Sequence, residues 1–144
     1  MSGTRLGDSS RSRRPLTLLI LDDREDVRRS LARYFRLFVR TVVDASSTME
    51  AERLLQEHQP ELLLTDYWLG GGQPTSVMML PQWRARFGCL QRVVLMTGSR
   101  GALLSVPPGV DALFRKPLDL DAVRVALLEP DASQPASRDS VAGS

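Results

Sequence analysis

Lysine is almost missing from this sequence. Of the 19 basic residues in the 144-residue chain, 18 are arginine, and Lys116 is the only lysine. Cysteine and histidine are equally scarce, with Cys89 and His58 the single examples. One cysteine excludes an internal disulfide framework and suits a reducing cytoplasm, the expected location. Long apolar runs are lacking too: none approaches the roughly 18 residues of a membrane span, so no membrane partner is expected. The opening "MSGTRLGDSSRSRRP" is basic and serine-rich without an apolar core, and does not read as a secretory signal.

Charge of one sign is also absent over most of the chain. The total of +2 divides into +3 on residues 1–15 (Arg5, Arg11, Arg13 and Arg14 against Asp8) and −1 from Pro130 onward (Arg138 against Asp131 and Asp139). Residues 16–129 are therefore neutral overall and lack the basic field that draws in nucleic acid, so no nucleic-acid partner is expected. Residues 1–15 read as a disordered basic leader. The polar, proline-containing "PDASQPASRDSVAGS" (130–144) reads as a disordered tail. Between them, a 42% hydrophobic content over the whole chain allows one well-packed domain, residues 16–129.

What is present within 16–129 is an alternation of strands and helices. "LTLLIL" (16–21) is a continuous apolar run of buried-strand length. "EDVRRSLARYFRLF" (25–38) follows, with Val27, Leu31, Tyr34, Phe35 and Phe38 on one helical face. "VRTVVDA" (39–45) is β-branched and short. Ser47 with Glu50 three residues later forms a capping box that opens the helix "TMEAERLLQEHQ", which ends before Pro60. "ELLLT" (61–65), "RVVLMT" (92–97) and "ALFR" (112–115) are strands, and "DLDAVRVALLE" (119–129) is a final amphipathic helix. Pro81 predicts a kink or restart in the helix of "PTSVMMLPQWRARFG". "SRGALLSVPPG" leaves room for only a couple of helical turns before Pro107 and Pro108.

Apolar strands separated by helices predict an α/β fold with a parallel sheet covered by helices on both faces. Five such units predict a doubly wound five-stranded sheet of order 2-1-3-4-5, the flavodoxin-like arrangement, with any ligand at the carboxyl ends of the strands. At those ends stand Asp22-Asp23 after strand one, Asp66 after strand three, Thr97 at strand four and Lys116 after strand five. Singly, each has a structural reading. Asp23 can cap the first helix, with Glu25 and Asp26 complementing its dipole. Asp66 can begin a turn, Thr97-Gly98-Ser99 can be a strand-to-helix connection, and Lys116 can be a loop charge. Together they ask for more, because three carboxylates at one rim repel and need a cation.

A hard divalent ion with oxygen ligands, Mg²⁺, suits such a set. An aspartate can act as a nucleophile toward a phosphoryl group. The transferring phosphoryl then needs metal, ammonium and hydroxyl on its oxygens. The scarcity of lysine fits this chemistry: a compact ammonium enters a small pocket that a wide, planar guanidinium does not. The following proline also permits a cis Lys116–Pro117 bond.

On "LLILDDRED", "LLLTDYWL", "VVLMTGS" and "LFRKPL", in that order and close to the usual spacing, the chain resembles the receiver domains of bacterial two-component response regulators across 16–129. The resemblance implies that Asp66 is the phosphoacceptor and that Asp23 ligates Mg²⁺ directly while Asp22 acts through water. Asp66 and the carbonyl of Trp68 would complete the metal's protein ligands, and Thr97 and Lys116 would contact the phosphoryl oxygens. It further implies a histidine kinase or histidine phosphotransfer protein as phosphoryl donor. The activity implied is self-phosphorylation and self-dephosphorylation rather than turnover of a separate substrate.

The pattern has departures. Receivers usually carry an aromatic residue three positions before the lysine, where this chain has Leu113. The interval from Thr97 to Lys116 is short, which truncates the fourth helix. "YWLGGGQPT" is glycine-rich but no phosphate-binding loop, since no Gly-Lys-Ser/Thr follows. It reads more simply as a connector than as a lid. The fifteen residues after Glu129 are too few for a DNA-binding or catalytic module, so output is expected through protein contact or relay.

Alternative readings are a pseudo-receiver scaffold or a receiver excised from a hybrid histidine kinase, which "DYWLGGG" resembles. An Mg²⁺-dependent aspartyl-phosphate hydrolase of the haloacid-dehalogenase type is disfavoured. It needs Asp-x-Asp, and Arg24 and Trp68 stand where the second aspartate belongs. His58 reads as an exposed helix C-terminal residue, and Cys89 as a small residue with no metal-ligand neighbour. Arg29, Arg33, Arg36 and Arg40 read as a solvated stripe or a docking patch for an acidic partner.

Trp68 and Ser99, two residues beyond Asp66 and Thr97, border the path of the attacking water in receivers. The bulk of Trp68 predicts slow hydrolysis, so Trp68→Asn should lose phosphate faster than wild type in a time course. Slower loss from the variant, with a wild-type lifetime of minutes, contradicts this.

Overall fold

The computed structural model describes residues 13–67, 75–98 and 106–129, with Thr75 and Ser76 described by backbone alone. The elements are β1 (Arg14–Leu21), α1 (Glu25–Phe35), β2 (Val39–Ala45), α2 (Thr48–His58), β3 (Leu62–Asp66), α3 (Thr75–Arg86), β4 (Arg92–Thr97), β5 (Ala112–Arg115) and α4 (Leu120–Leu128). All neighbouring strands are parallel, in the expected order β2-β1-β3-β4-β5. The expected helix after Thr97 falls largely on residues 99–105, outside the described residues, as do the leader up to residue 12 and the tail from 130. Among the described residues no helix is long and apolar enough to cross a membrane.

Strand alternation sorts the core into two layers. Leu18, Ile20, Leu62, Leu64, Val94 and Met96 face Leu31 and Phe35 of α1 and Val123 and Leu127 of α4. Leu19, Leu21, Leu63 and Val93 face Leu54 and Leu55 of α2 and Leu80 and Trp83 of α3. β1 and β3 occupy the middle with both faces covered, so their sequences run apolar without interruption. The indole Nε1 of Trp83 donates to Glu52 Oε2 at 2.8 Å, which satisfies the buried ring's polar edge and ties α3 to α2.

Three local expectations are modified. α1 ends at Phe35 rather than Phe38. Arg36, Leu37 and Phe38 instead form a turn, with N–H bonds to the carbonyls of Ala32 (2.9 Å), Tyr34 (3.2 Å) and Phe35 (2.9 Å). Phe38 still packs on the α1/α4 core, so its apolar character matched the helical period. At α2, Ser47 Oγ accepts from Glu50 N–H as expected, but the Glu50 carboxylate returns to the N–H of Ser46, one residue early. His58 is exposed in the last turn, and Gln59 ends the helix in the left-handed region at φ 49°.

α3 runs on through Pro81 without a restart. The turn before β5 leans on the helix here: a Cβ added to Gly109 would lie 3.2 Å from Leu80 Cβ and 3.3 Å from Pro81 N. One turn further along α3, Arg84 donates to the Gly109 carbonyl (3.2 Å), the Asp111 carboxylate (2.7 Å) and the Gln91 carbonyl (3.0 Å). Asp111 in turn accepts from Val93 N–H at 2.8 Å and donates its own N–H to the Val93 carbonyl at 2.7 Å. This clamp fixes where β5 starts, and with it the position of Lys116.

Gly109 combines that close approach with a φ of 84°, a conformation that is strained for any residue with a Cβ. Gly109→Ala should lower unfolding free energy by about 1–2 kcal/mol in urea titrations. Unchanged stability would show that the turn yields without cost.

Candidate active site

The register of the central strands brings their ends to one level. Leu21 is paired with Thr65, Asp66 with Met96, and Thr97 with Arg115. The next residues therefore emerge together at one rim. Asp22 and Thr97 are fully buried there, Asp66 is 5% exposed, and Asp23 is exposed to solvent. Carboxylate oxygens of Asp22, Asp23 and Asp66 lie within 4.8 Å of one another. Lys116 Nζ stands 3.4 Å from Asp22 Oδ2 and 3.4 Å from Asp66 Oδ2. Its backbone N–H is held by the Thr97 carbonyl at 2.7 Å, and the Lys116–Pro117 peptide is cis. The ammonium thus sits midway between two buried carboxylates, a place for a compact cation.

Asp23 does not cap α1. Arg24 is the N-cap residue and makes no side-chain cap bond. The turn is held by other means: Asp22 Oδ1 accepts from Arg24 N–H at 2.9 Å, and Arg28 donates to the Asp22 carbonyl at 2.9 Å. Arg28 also lies 3.7 Å from the Asp44 carboxylate at the end of β2, and its Nε is buried without a hydrogen-bond partner. Asp22 therefore serves three groups at once and is fixed, while Asp23 is left facing outward. Sequence reasoning missed Arg28. Its signal was there: the period that places Arg29 and Arg33 on the solvent face leaves Arg28 one step round the helix, toward the sheet.

Of the expected metal set, the structure gathers Asp22, Asp23 and Asp66. Trp68, Ser99 and residues 68–74 of the glycine-rich loop lie outside the described residues. Three clustered carboxylates, two of them sharing one ammonium, make an oxygen-rich, negatively charged donor set, which fits a hard divalent cation such as Mg²⁺ or Ca²⁺. Leu113 is half-buried on β5, opposite Leu95. The strand's aromatic residue is Phe114, one position later, and it packs on the α1/α4 core. A shift of one residue reverses the face, so no aromatic ring occupies the position that Leu113 holds.

His58 and Cys89 stand apart from this rim, at the C-terminal ends of α2 and α3. Burial pushes the Cys89 thiol above its ordinary value. Beside Lys116, a groove of about 300 Å³ runs between Val27 and Leu31 of α1 and Pro117, Leu118 and Leu120.

Lys116→Met should destabilise the metal-free protein by about 1–3 kcal/mol, since the buried carboxylates lose their shared counter-charge. Mg²⁺ should then raise the melting temperature more in the variant than in wild type. Equal metal-free stability of the two proteins would mean that Lys116 does not hold the cluster together.

Comparison with known proteins gives no matching family model and no matching curated protein. Solved structures do match. A response regulator protein from Burkholderia pseudomallei, determined with a phosphorylated aspartic acid, a calcium ion and citrate, is 22% identical, with 90% of this chain and 75% of that chain covered and a TM-score of 0.69. The N-terminal signal receiver domain of a two-component response regulator from Bacteroides fragilis is 23% identical, with 78% and 93% covered and a TM-score of 0.67. The signal receiver domain of a LuxO repressor protein from Vibrio parahaemolyticus is 15% identical, with 88% and 97% covered and a TM-score of 0.64.

Proposed function

Given a fold that is that of the response regulator receiver domains, we propose that the chain accepts a phosphoryl group on Asp66 from a phosphohistidine of a kinase or phosphotransfer protein. The observation that carries this reading is the cluster itself: three carboxylates within 4.8 Å, with Lys116 at 3.4 Å from two of them. The donor set also parallels the phosphorylated aspartic acid and calcium ion of the Burkholderia pseudomallei neighbour.

In this reading an Asp66 oxygen attacks phosphorus, the bond from phosphorus to the donor's imidazole nitrogen breaks, and that nitrogen keeps the electron pair. Lys116 follows the developing charge from the carboxylates onto a phosphoryl oxygen, and the Thr97 hydroxyl, now directed at the Gly98 carbonyl at 3.4 Å, turns to another. Asp23, Asp66 and the Trp68 carbonyl, with Asp22 through water, would hold Mg²⁺, which would supply neutralisation of the phosphoryl charge. Asp22 stays oriented by Arg24 and Arg28 throughout. The apolar groove beside Lys116 would receive the helical surface that carries the donor histidine. A cytoplasmic setting and output by protein contact or relay go with this assignment.

Intact-mass spectrometry after incubation with Mg²⁺ and acetyl phosphate tests it. One phosphoryl adduct should form, require Mg²⁺ and vanish in Asp66→Asn. An adduct retained in that variant would assign the wrong nucleophile, and no adduct together with no Mg²⁺ binding would leave a non-phosphorylating scaffold.

A further inference from the structure

At the far end of the sheet from Asp66, α1 stops and β1 and β2 begin. Four arginines are carried on the elements that stop or start there. Arg33 is in the last turn of α1, Arg36 is its C-cap, and Arg40 lies on β2, so the expected helical stripe is broken between helix and strand. Arg14 joins them from β1, paired with Val39 and donating its N–H to the Phe38 carbonyl at 2.7 Å. All four are exposed, and none has an ion-pair partner among the described residues. Several other arginines are matched with acids: Arg29 with Glu25, Arg53 with Glu57, Arg84 with Asp111, and Arg124 with Glu129, although Arg115, exposed at the end of β5, also lacks an ion-pair partner among the described residues.

Amid the four stands Leu37, 64% exposed and held in an ordered turn through its N–H bond to the Tyr34 carbonyl. The negative end of the α1 dipole accounts for Arg33 and Arg36. It does not account for Arg14, Arg40 or an ordered, bare leucine. The domain's overall neutrality thus conceals an uneven distribution, with three carboxylates clustered at one end of the strands and four unmatched guanidiniums grouped toward the other.

We propose that this corner docks an acidic polypeptide segment, with an apolar side chain over Leu37 and carboxylates on Arg14, Arg33, Arg36 and Arg40. An apolar centre within a charged rim is the anatomy of a protein interface. β2 is the outermost strand, and its open edge offers backbone donors and acceptors that another polypeptide can match in register. Nucleic acid fits less well, because the aromatic rings here, Tyr34 and Phe38, are half-buried, and Arg124 covers Phe38 at 4.7 Å. Remote from Asp66, the surface works whether or not the phosphoryl chemistry proposed above operates.

Fluorescence anisotropy on the full chain tests this with four probes of matched charge: a glutamate-only peptide, a glutamate peptide with interspersed leucines, a single-stranded oligonucleotide and a duplex. The leucine-bearing peptide should bind most tightly, and more weakly as salt rises. The double variant Arg36→Glu/Arg40→Glu should weaken it about tenfold or more. Leu37→Ser, a milder change at an exposed position, should erase the difference between the two peptides. Circular dichroism melts establish that each variant is folded, with Arg14→Gln as substitute if charge reversal unfolds the chain. Absence of peptide binding, tighter binding of either oligonucleotide, or indifference to both Leu37→Ser and the arginine substitutions would overturn the proposal.

Discussion

Everything at the carboxyl ends of the strands depends on one electrostatic constraint: carboxylates brought into a buried rim by strands that have no freedom to move apart. β1 and β3 are adjacent, parallel and covered on both faces, so Asp22 and Asp66 are placed by the core and not by their own preferences. Lys116 holds them from the opposite side of the site, 3.4 Å from each. Like charges at such separations raise the energy of the metal-free protein, and a cation lowers it. The core thus stores a demand for positive charge, which Lys116 meets in part and a divalent ion would meet further.

Two arginines support this rim from outside it. Arg28 pins the Asp22 carbonyl and faces Asp44, taking over from the side-chain cap that α1 lacks. Arg84 reaches from α3 to Gly109, Asp111 and Gln91 and sets the entry to β5. Neither touches the carboxylate cluster through its own charge, yet each determines where a cluster residue begins. In a chain so rich in arginine, the division of labour is geometric. Guanidiniums brace backbone carbonyls with several donors at once, and the single ammonium goes where only one compact charge fits.

The residues of the rim were largely legible in the sequence. Apolar runs of strand length marked β1 and β3, and the acids that follow them in sequence follow them in space. The strand order and the gathering of Asp22, Asp23, Asp66, Thr97 and Lys116 follow from that alternation. Less legible were features that long-range packing decides. Phe38 fitted the helical period but belongs to a turn, because a residue can reach the same core from two backbone conformations. The alternative reading of Asp23 as a helix cap gives way to the Asp22–Arg24 bond and the Arg28 contact, which hold that turn instead.

By itself, the sequence determined the alternation of elements, the two-sided burial of the sheet and the identities of the rim residues, because these rest on local periodicity and on residue chemistry. Only the tertiary structure decided which groups share a counter-charge and which stand unmatched. Lys116 lies 94 residues from Asp22 and 50 from Asp66 along the chain, and Arg14 comes level with Val39, next to Arg40, only because β1 and β2 are paired. Distances of that kind are set by register and packing, and no local pattern encodes them.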